Sequence, residues 1–237
     1  MSNGSDLESV ESRGSREPIE SLEQLRGALT RRIAATGMAP TIDELAGLIG
    51  ATTAETERRL RALHDRHALL LHPHKCEPWV VHPFALSPGS CWVQTEEHGY
   101  WANCLYCAFG IAAALRRDAV ITTRFGGESE SVRYVISNGE PDRRDDVFHL
   151  STPAARWWDN VIFSCASFQP FASEADIDPW CARHRLPRGA VLSVPALWAF
   201  ARDWYGSYVN EPWHLKTKEQ AMAIMARHGL TGPFWTL

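Results

Sequence analysis

Cys104 and Cys107 stand three residues apart in the run Tyr100-Trp101-Ala102-Asn103-Cys104-Leu105-Tyr106-Cys107, which leads straight into Ala108-Phe109-Gly110-Ile111-Ala112-Ala113-Ala114-Leu115. The second half is alanine-rich and apolar, the pattern of the first turns of a buried helix. Two thiols at or just before a helix N-terminus meet unpaired backbone N–H groups and the positive end of the helix dipole, and both favour thiolate over thiol. Such a cysteine is a nucleophile and a soft-metal ligand. Two ordinary buried cysteines are the plain alternative, because free cysteine is among the most buried residue types. A redox pair is another, since Cys-x-x-Cys at a helix start is the form thiol oxidoreductases use, although no clear β-α-β unit precedes it here.

The other cysteines are more scattered. Cys165 sits inside the apolar run Asn160 to Ser173, which reads as a strand ending in a turn. Cys91 follows Pro88-Gly89-Ser90 at the entry to a strand and reads as core. Cys76 lies near His72, His74 and His82, a grouping that lacks the paired ligand spacing of a structural zinc site and reads as loop residues. Among acids near these segments, Asp159 and Glu96 read as exposed carboxylates. Trp101, Trp157, Trp158 and Trp198 are candidates for an apolar pocket wall, though aromatics at such spacing more often form core.

The elements that must position these thiols fall into two parts. Met1 to about Pro18 is rich in Ser, Glu and Arg and is expected to be a disordered tail. From Ile19, Leu22, Leu25, Leu29 and Ile33 recur at helical spacing and Gly37 ends the run. Thr41 caps a second helix with Leu45, Leu48 and Ile49 on its buried face; Thr53 caps a third with Leu60 and Leu63 inward and Arg58, Arg59, Arg61 and Arg66 outward. Leu69-Leu70-Leu71 and Trp79-Val80-Val81 form a hairpin, completing a winged helix-turn-helix-like module over 19–86. Its arginines alternate with Glu55, Glu57 and Asp65, the mark of a solvated face rather than a DNA-reading one.

Residues 87–237 make the second part. After the central helix, Ala119 to Phe125 and Ser131 to Ile136 are β-branched strands bounded by Gly126-Gly127 and Asn138-Gly139, which predicts antiparallel pairing. Val147 to Leu150 is a short strand, and Thr152-Pro153 opens a helix that holds Trp157-Trp158. A helix from Asp176 to near Arg188, a strand Ala190 to Val194, an aromatic helix Pro195 to Tyr205 and a helix from about Lys218 to His228 complete the chain. The fold class is therefore α+β: a winged-helix-like helical domain, then a mixed, mainly antiparallel sheet flanked by helices.

The 237 residues can bury a sizeable core, and 45% hydrophobic with 22% charged side chains is ordinary for a globular protein. A net charge of −4 gives no global pull toward nucleic acid or acidic membranes. No apolar run approaches a membrane-spanning length, and the polar start lacks a signal-peptide core, so the expected compartment is the cytoplasm. There, six cysteines point to metal binding or thiol chemistry rather than a disulfide framework. The ten tryptophans fall beyond residue 78, which predicts one aromatic-rich core.

The order of these pieces resembles the organomercurial (alkylmercury) lyases over roughly residues 20 to 205. Tyr100 to Leu115 is similar to the family's first motif, with Cys104 at the position of the first cysteine. Phe163 to Ser173 is similar to the second, Cys165 lying eight residues before Ser173. Gly189 to Tyr205 looks like the closing segment. The resemblance implies a winged-helix-like domain before a sheet flanked by helices, with two cysteines gripping the mercury of R–Hg⁺ and an aspartate moving a proton to the leaving carbon. Here Cys107 occupies that aspartate's place.

Thiolates are the best protein ligands for a soft ion such as Hg²⁺. The implied activity is protonolysis of a carbon–mercury bond in mercury detoxification, with Cys104 and Cys165 as ligands and Cys107 as third ligand and proton donor. It implies no required cofactor, Hg(II) as substrate and product ion, a small organomercurial substrate, and low-molecular-weight thiols or a mercury-accepting reductase as product acceptors. DNA and membrane partners are not expected. Two other classes use the same residues: a soft-metal (Hg, Cu or Zn) sensor or carrier, and the Cys-x-x-Cys oxidoreductase.

Overall fold

Threonine caps set where the second and third helices begin. The computed structural model describes residues 17–128, 130–142 and 145–237, so nearly all of the expected N-terminal tail lies outside the described residues. Helix α1 spans Ile19–Thr36 and ends where Gly37 takes a left-handed conformation. Helix α2, Ile42–Ile49, starts with a reciprocal cap: the Thr41 hydroxyl accepts from the Glu44 amide and the Glu44 carboxylate accepts from the Thr41 amide. Helix α3, Thr53–Asp65, is capped one residue earlier than expected, by Thr52, because Glu55 sits three residues after Thr52 and completes the same box. Leu45 and Ile49 of α2 are buried, but Leu48 is 57% exposed and does not belong to that face.

The charged face of α3 is largely paired. Arg58 and Arg59 meet Glu17, and Arg61 meets Glu57. The expected hairpin forms from β1 (Leu70–Leu71) and β2 (Pro78–Val81). It joins a larger sheet through β3 (Phe84–Ala85), which pairs with β5 (Gly99–Ala102). Strands β4 (Cys91–Gln94), β6 (Ala119–Arg124), β7 (Ser131–Ser137) and β8 (Glu140–Pro141) complete eight strands in the order β1-β2-β3-β5-β4-β6-β7-β8. Every described pair is antiparallel. The sheet thus takes strands from both sides of residue 86, and Tyr100 of β5 donates its hydroxyl to the Ala34 carbonyl of α1 at 2.6 Å.

Helix α4, Leu105–Leu115, follows β5 directly, and every residue from Leu105 to Ala114 is buried. A helix apolar all round must be covered on all sides. The sheet covers one side and α7 (Val194–Tyr205) the other. Gly110 allows that approach: a Cβ there would lie 2.4 Å from the Tyr205 ring. Phe109 meets Tyr134 and Trp198 edge to face.

Two expected elements differ. Thr152-Pro153 leads into a single 3₁₀ turn, Ala154–Arg156, not a longer helix, and the Trp157 indole N–H donates back to the Thr152 carbonyl. The segment after Asn160 is not a strand. It forms helix α5, Val161–Ala166, because the Asn160 side chain accepts the Phe163 amide as an N-cap. Only Gln169–Phe171 is extended; this strand, β10, joins β9 (Val147–Leu150) and β11 (Ala190–Ser193) in a three-stranded sheet. A short apolar run does not separate buried helix from strand by periodicity. Helix α6, Ile177–His184, ends where Arg185 turns left-handed, short of Arg188. Helix α8 runs Lys218–Arg227. Among the described residues no helix is long and apolar enough to cross a membrane.

His149 of β9 is fully buried and its Nε2 accepts the Gly189 amide at 3.0 Å. Burial, with Arg188 nearby, pulls its pKa down to about 4. The folded state therefore resists the proton that the unfolded chain takes up near pH 6.5. Stability contributed by neutral His149 is complete above that pH and declines as pH falls toward 4, by about 3 kcal/mol in all. Urea midpoints between pH 7 and 4 should fall more steeply for the natural protein than for His149→Gln, which keeps an acceptor for Gly189. Parallel curves would refute this.

Candidate functional site

The strand-to-helix junction between β5 and α4 delivers the first two thiols. Cys104 is the N-cap residue of α4, with extended backbone, and Cys107 lies in the first turn. Their sulfurs are 3.6 Å apart, with the Cys104 thiol donating to Cys107. Helix α5 delivers the third. Its inward face, spaced i, i+3, i+4, is Val161, Ser164 and Cys165. As a helix, α5 aims Cys165 at the other two sulfurs.

A fourth group joins them. One ring nitrogen of His82, the sulfur of Cys107 and the sulfur of Cys165 lie within 4.8 Å of one another. His82 stands between β2 and β3, apart from its expected companions: His72 packs on His74 and Trp79 instead, and Cys76 faces the Glu57 carbonyl. His82 is thus a turn residue as expected, but it faces Cys107 and Cys165 rather than His72, His74 and Cys76. Pairing of β2 with β3 fixes its place, and Trp158 packs edge-on against its ring at 5.5 Å.

The electrostatics of the cluster divide three thiols unequally. Burial pushes the Cys104 thiol well above its ordinary range, against the Cys107 thiol and amide, which pull it down. Hydrogen bonding to Cys104 and Cys165, with burial, holds Cys107 protonated too. Cys165 is shifted the other way, well below an ordinary thiol, because its interactions with Cys104 and Cys107 favour the charged form over the cost of burial. Of the three thiols, Cys165 is thus the most readily ionised, and a first charge in the cluster opposes a second. Burial and the nearby Arg26 charge hold His82 neutral, its pKa down to about 4. Cys91, by contrast, is core: burial pushes its thiol up to about 12.

The thiols lie at the wall of a cavity of about 520 Å³. Trp157, Trp158, Trp204 and Trp213 line it, with Tyr106, Tyr205 and Tyr208. Of the four tryptophans singled out from sequence, Trp157 and Trp158 reach this cavity. Trp101 packs instead on Trp92, and Trp198 donates to the Gly139 carbonyl. Neither acid comes to the sulfurs as a free carboxylate. Asp159 lines the cavity but is exposed and paired with Arg156, while Glu96 is exposed in the β4–β5 turn and does not line the cavity. Arg66, expected to point outward, also lines the cavity.

Arg26 was unmarked in the sequence pattern. It shares the buried face of α1 and is 1% exposed. Its guanidinium donates to the carbonyls of Ala68 at 2.9 Å and His82 at 2.6 Å and to the Thr30 hydroxyl, and lies over the Trp213 ring. Burial lowers its pKa to about 10, which leaves it charged at neutral pH.

The family model described as alkylmercury lyase matches residues 84–206, more than half of the chain and a span that holds Cys104, Cys107 and Cys165. Among solved structures, the crystal structure of the mercury-bound form of MerB2 superposes with a TM-score of 0.64 at 16% identity, covering 81% of this chain and 93% of that one. That likeness shows a shared fold. No curated protein matches the chain by sequence.

Proposed function

The chain belongs to the alkylmercury lyase family, and from that premise we propose that it cleaves a carbon–mercury bond by protonolysis at Cys104, Cys165 and Cys107. The observation that carries the proposal is the convergence of three thiols beside an aromatic cavity.

The Cys165 thiolate attacks the mercury of R–Hg–X and releases X⁻, giving R–Hg–S. Cys104 then binds as the second thiolate. Its proton passes to Cys107 along the S–H···S contact of 3.6 Å while the proton of Cys107 goes to the carbon. The carbon–mercury bond breaks with its electron pair left on carbon, so the products are R–H and S–Hg–S. Cys107 ends as a neutral thiol. Two thiolates on a soft ion raise the electron density on carbon, and a positioned acid completes the transfer. The aromatic walls suit the organic group R, and neutral His82 adds no charge to repel the cation. Low-molecular-weight thiols then take the Hg(II) product, which frees the cluster.

Incubation with phenylmercuric acetate and excess small-molecule thiol should release benzene well beyond one equivalent per chain. No benzene at all would sink the proposal. Release that stops at one equivalent would favour a thiolate metal trap.

A further inference from the structure

We propose that His82 completes a Cys₃His site with Cys104, Cys107 and Cys165 that binds a zinc-like divalent ion in tetrahedral geometry. The proposal uses the same thiols as the protonolysis but not its chemistry, so either can fail alone. Zinc takes four N and S ligands, with Zn–S about 2.3 Å and Zn–N about 2.0–2.1 Å, which sets neighbouring ligand atoms about 3.4–3.8 Å apart. The Cys104 and Cys107 sulfurs already stand at 3.6 Å. The His82 nitrogen and the sulfurs of Cys107 and Cys165 lie within 4.8 Å of one another, and Cys104, next to Cys107 but outside that trio, moves in with them to complete four ligands.

Three separate elements hold these atoms: the β2–β3 connection, the start of α4 and the inward face of α5. Arg26 donates to the His82 carbonyl and Trp158 packs its ring, so the imidazole is anchored from two sides. Groups that orient a ligand in this way raise metal affinity.

The imidazole also separates two kinds of ion. Mercury is soft and satisfied by two or three thiolates, whereas zinc is borderline and needs a fourth donor. His82 should therefore matter for zinc and be idle for mercury.

The test uses the full-length reduced protein and Co(II) as a spectroscopic stand-in for Zn(II). The natural protein should give intense tetrahedral d–d bands and sulfur-to-cobalt charge transfer, both abolished by Zn(II). His82→Phe keeps a ring against Trp158 but has no donor. Losing even an outer partner costs about 10–100-fold in affinity, so losing a ligand should weaken Co(II) and Zn(II) by at least about 100-fold. Hg(II) binding should stay within about threefold of the natural protein, far less than one donor is worth. X-ray absorption of the zinc-loaded natural protein should show three sulfurs and one nitrogen, a readout that needs no variant. Absence of the tetrahedral spectrum, unchanged Co(II) affinity in His82→Phe, or a zinc shell without nitrogen would each overturn the proposal.

Discussion

Cys107→Ser should lower the turnover of phenylmercuric acetate by about 10²–10⁴-fold, the usual worth of a positioned general acid, while Cys107→Asp retains most of it. The asymmetry follows from what each side chain can do. Serine has the size of cysteine but a hydroxyl too weakly acidic to protonate the carbon, and it accepts the Cys104 proton poorly. Aspartate restores the carboxylic acid that the family resemblance places there, and burial against two thiols would hold it protonated. Cys104→Ser and Cys165→Ser should reduce turnover below detection, because each removes a soft ligand that no neighbour replaces. Binding and chemistry can be read apart. Cys107→Ser should still bind one Hg(II) tightly through Cys104 and Cys165, whereas Cys165→Ser should lose the most readily ionised sulfur, on which capture depends. If Cys107→Ser turned over at the natural rate and Cys107→Asp did not, the proton would come from another group. Equal damage from all three serine variants to both Hg(II) binding and turnover would instead make Cys107 a third grip on the metal.

The parts of this site legible in the sequence are those whose signal is local. An alanine-rich apolar run after a polar junction specifies a buried helix, and α4 starts directly after its N-cap, Cys104. Cys165 was legible as a residue but not as a geometry. The β-branched pair Val161-Ile162 reads as extended, and the single Asn160 cap outweighs it. His82 was illegible for another reason. In sequence it stands among two histidines and a cysteine, and only the pairing of β2 with β3 turns it away from them. The same holds for the pocket wall: Trp204 and Trp213 line the cavity from segments more than 95 residues beyond Cys107. No short-range pattern encodes that meeting.

Arg26→Met should destabilise the protein by about 2–4 kcal/mol, a large fraction of the stability of an ordinary domain. The sign needs argument, because removing a buried charge also removes its desolvation cost. A pKa lowered from 12.5 to about 10 puts that cost at about 3 kcal/mol, taking 1.36 kcal/mol per unit. Against it stand hydrogen bonds to Ala68, His82 and Thr30, each worth about 1.5–3 kcal/mol when the donor is charged. Methionine keeps an apolar stem against Trp213 but leaves the Ala68 and His82 carbonyls without their donor, and an unpaired buried polar group costs about 1–3 kcal/mol. The bonds win. Urea unfolding should show a lower midpoint with an unchanged slope, since the same surface is exposed. Arg26→Lys, which keeps a charge but lacks the planar fork, should fall between the two. The loss also reaches the thiols, because Arg26 holds the backbone of the residue whose ring faces Cys107 and Cys165. Tetrahedral Co(II) binding should therefore weaken in Arg26→Met even at temperatures where the protein is fully folded. A midpoint within about 0.5 kcal/mol of the natural protein, the range of a neutral surface change, would mean that the guanidinium only balances its own burial.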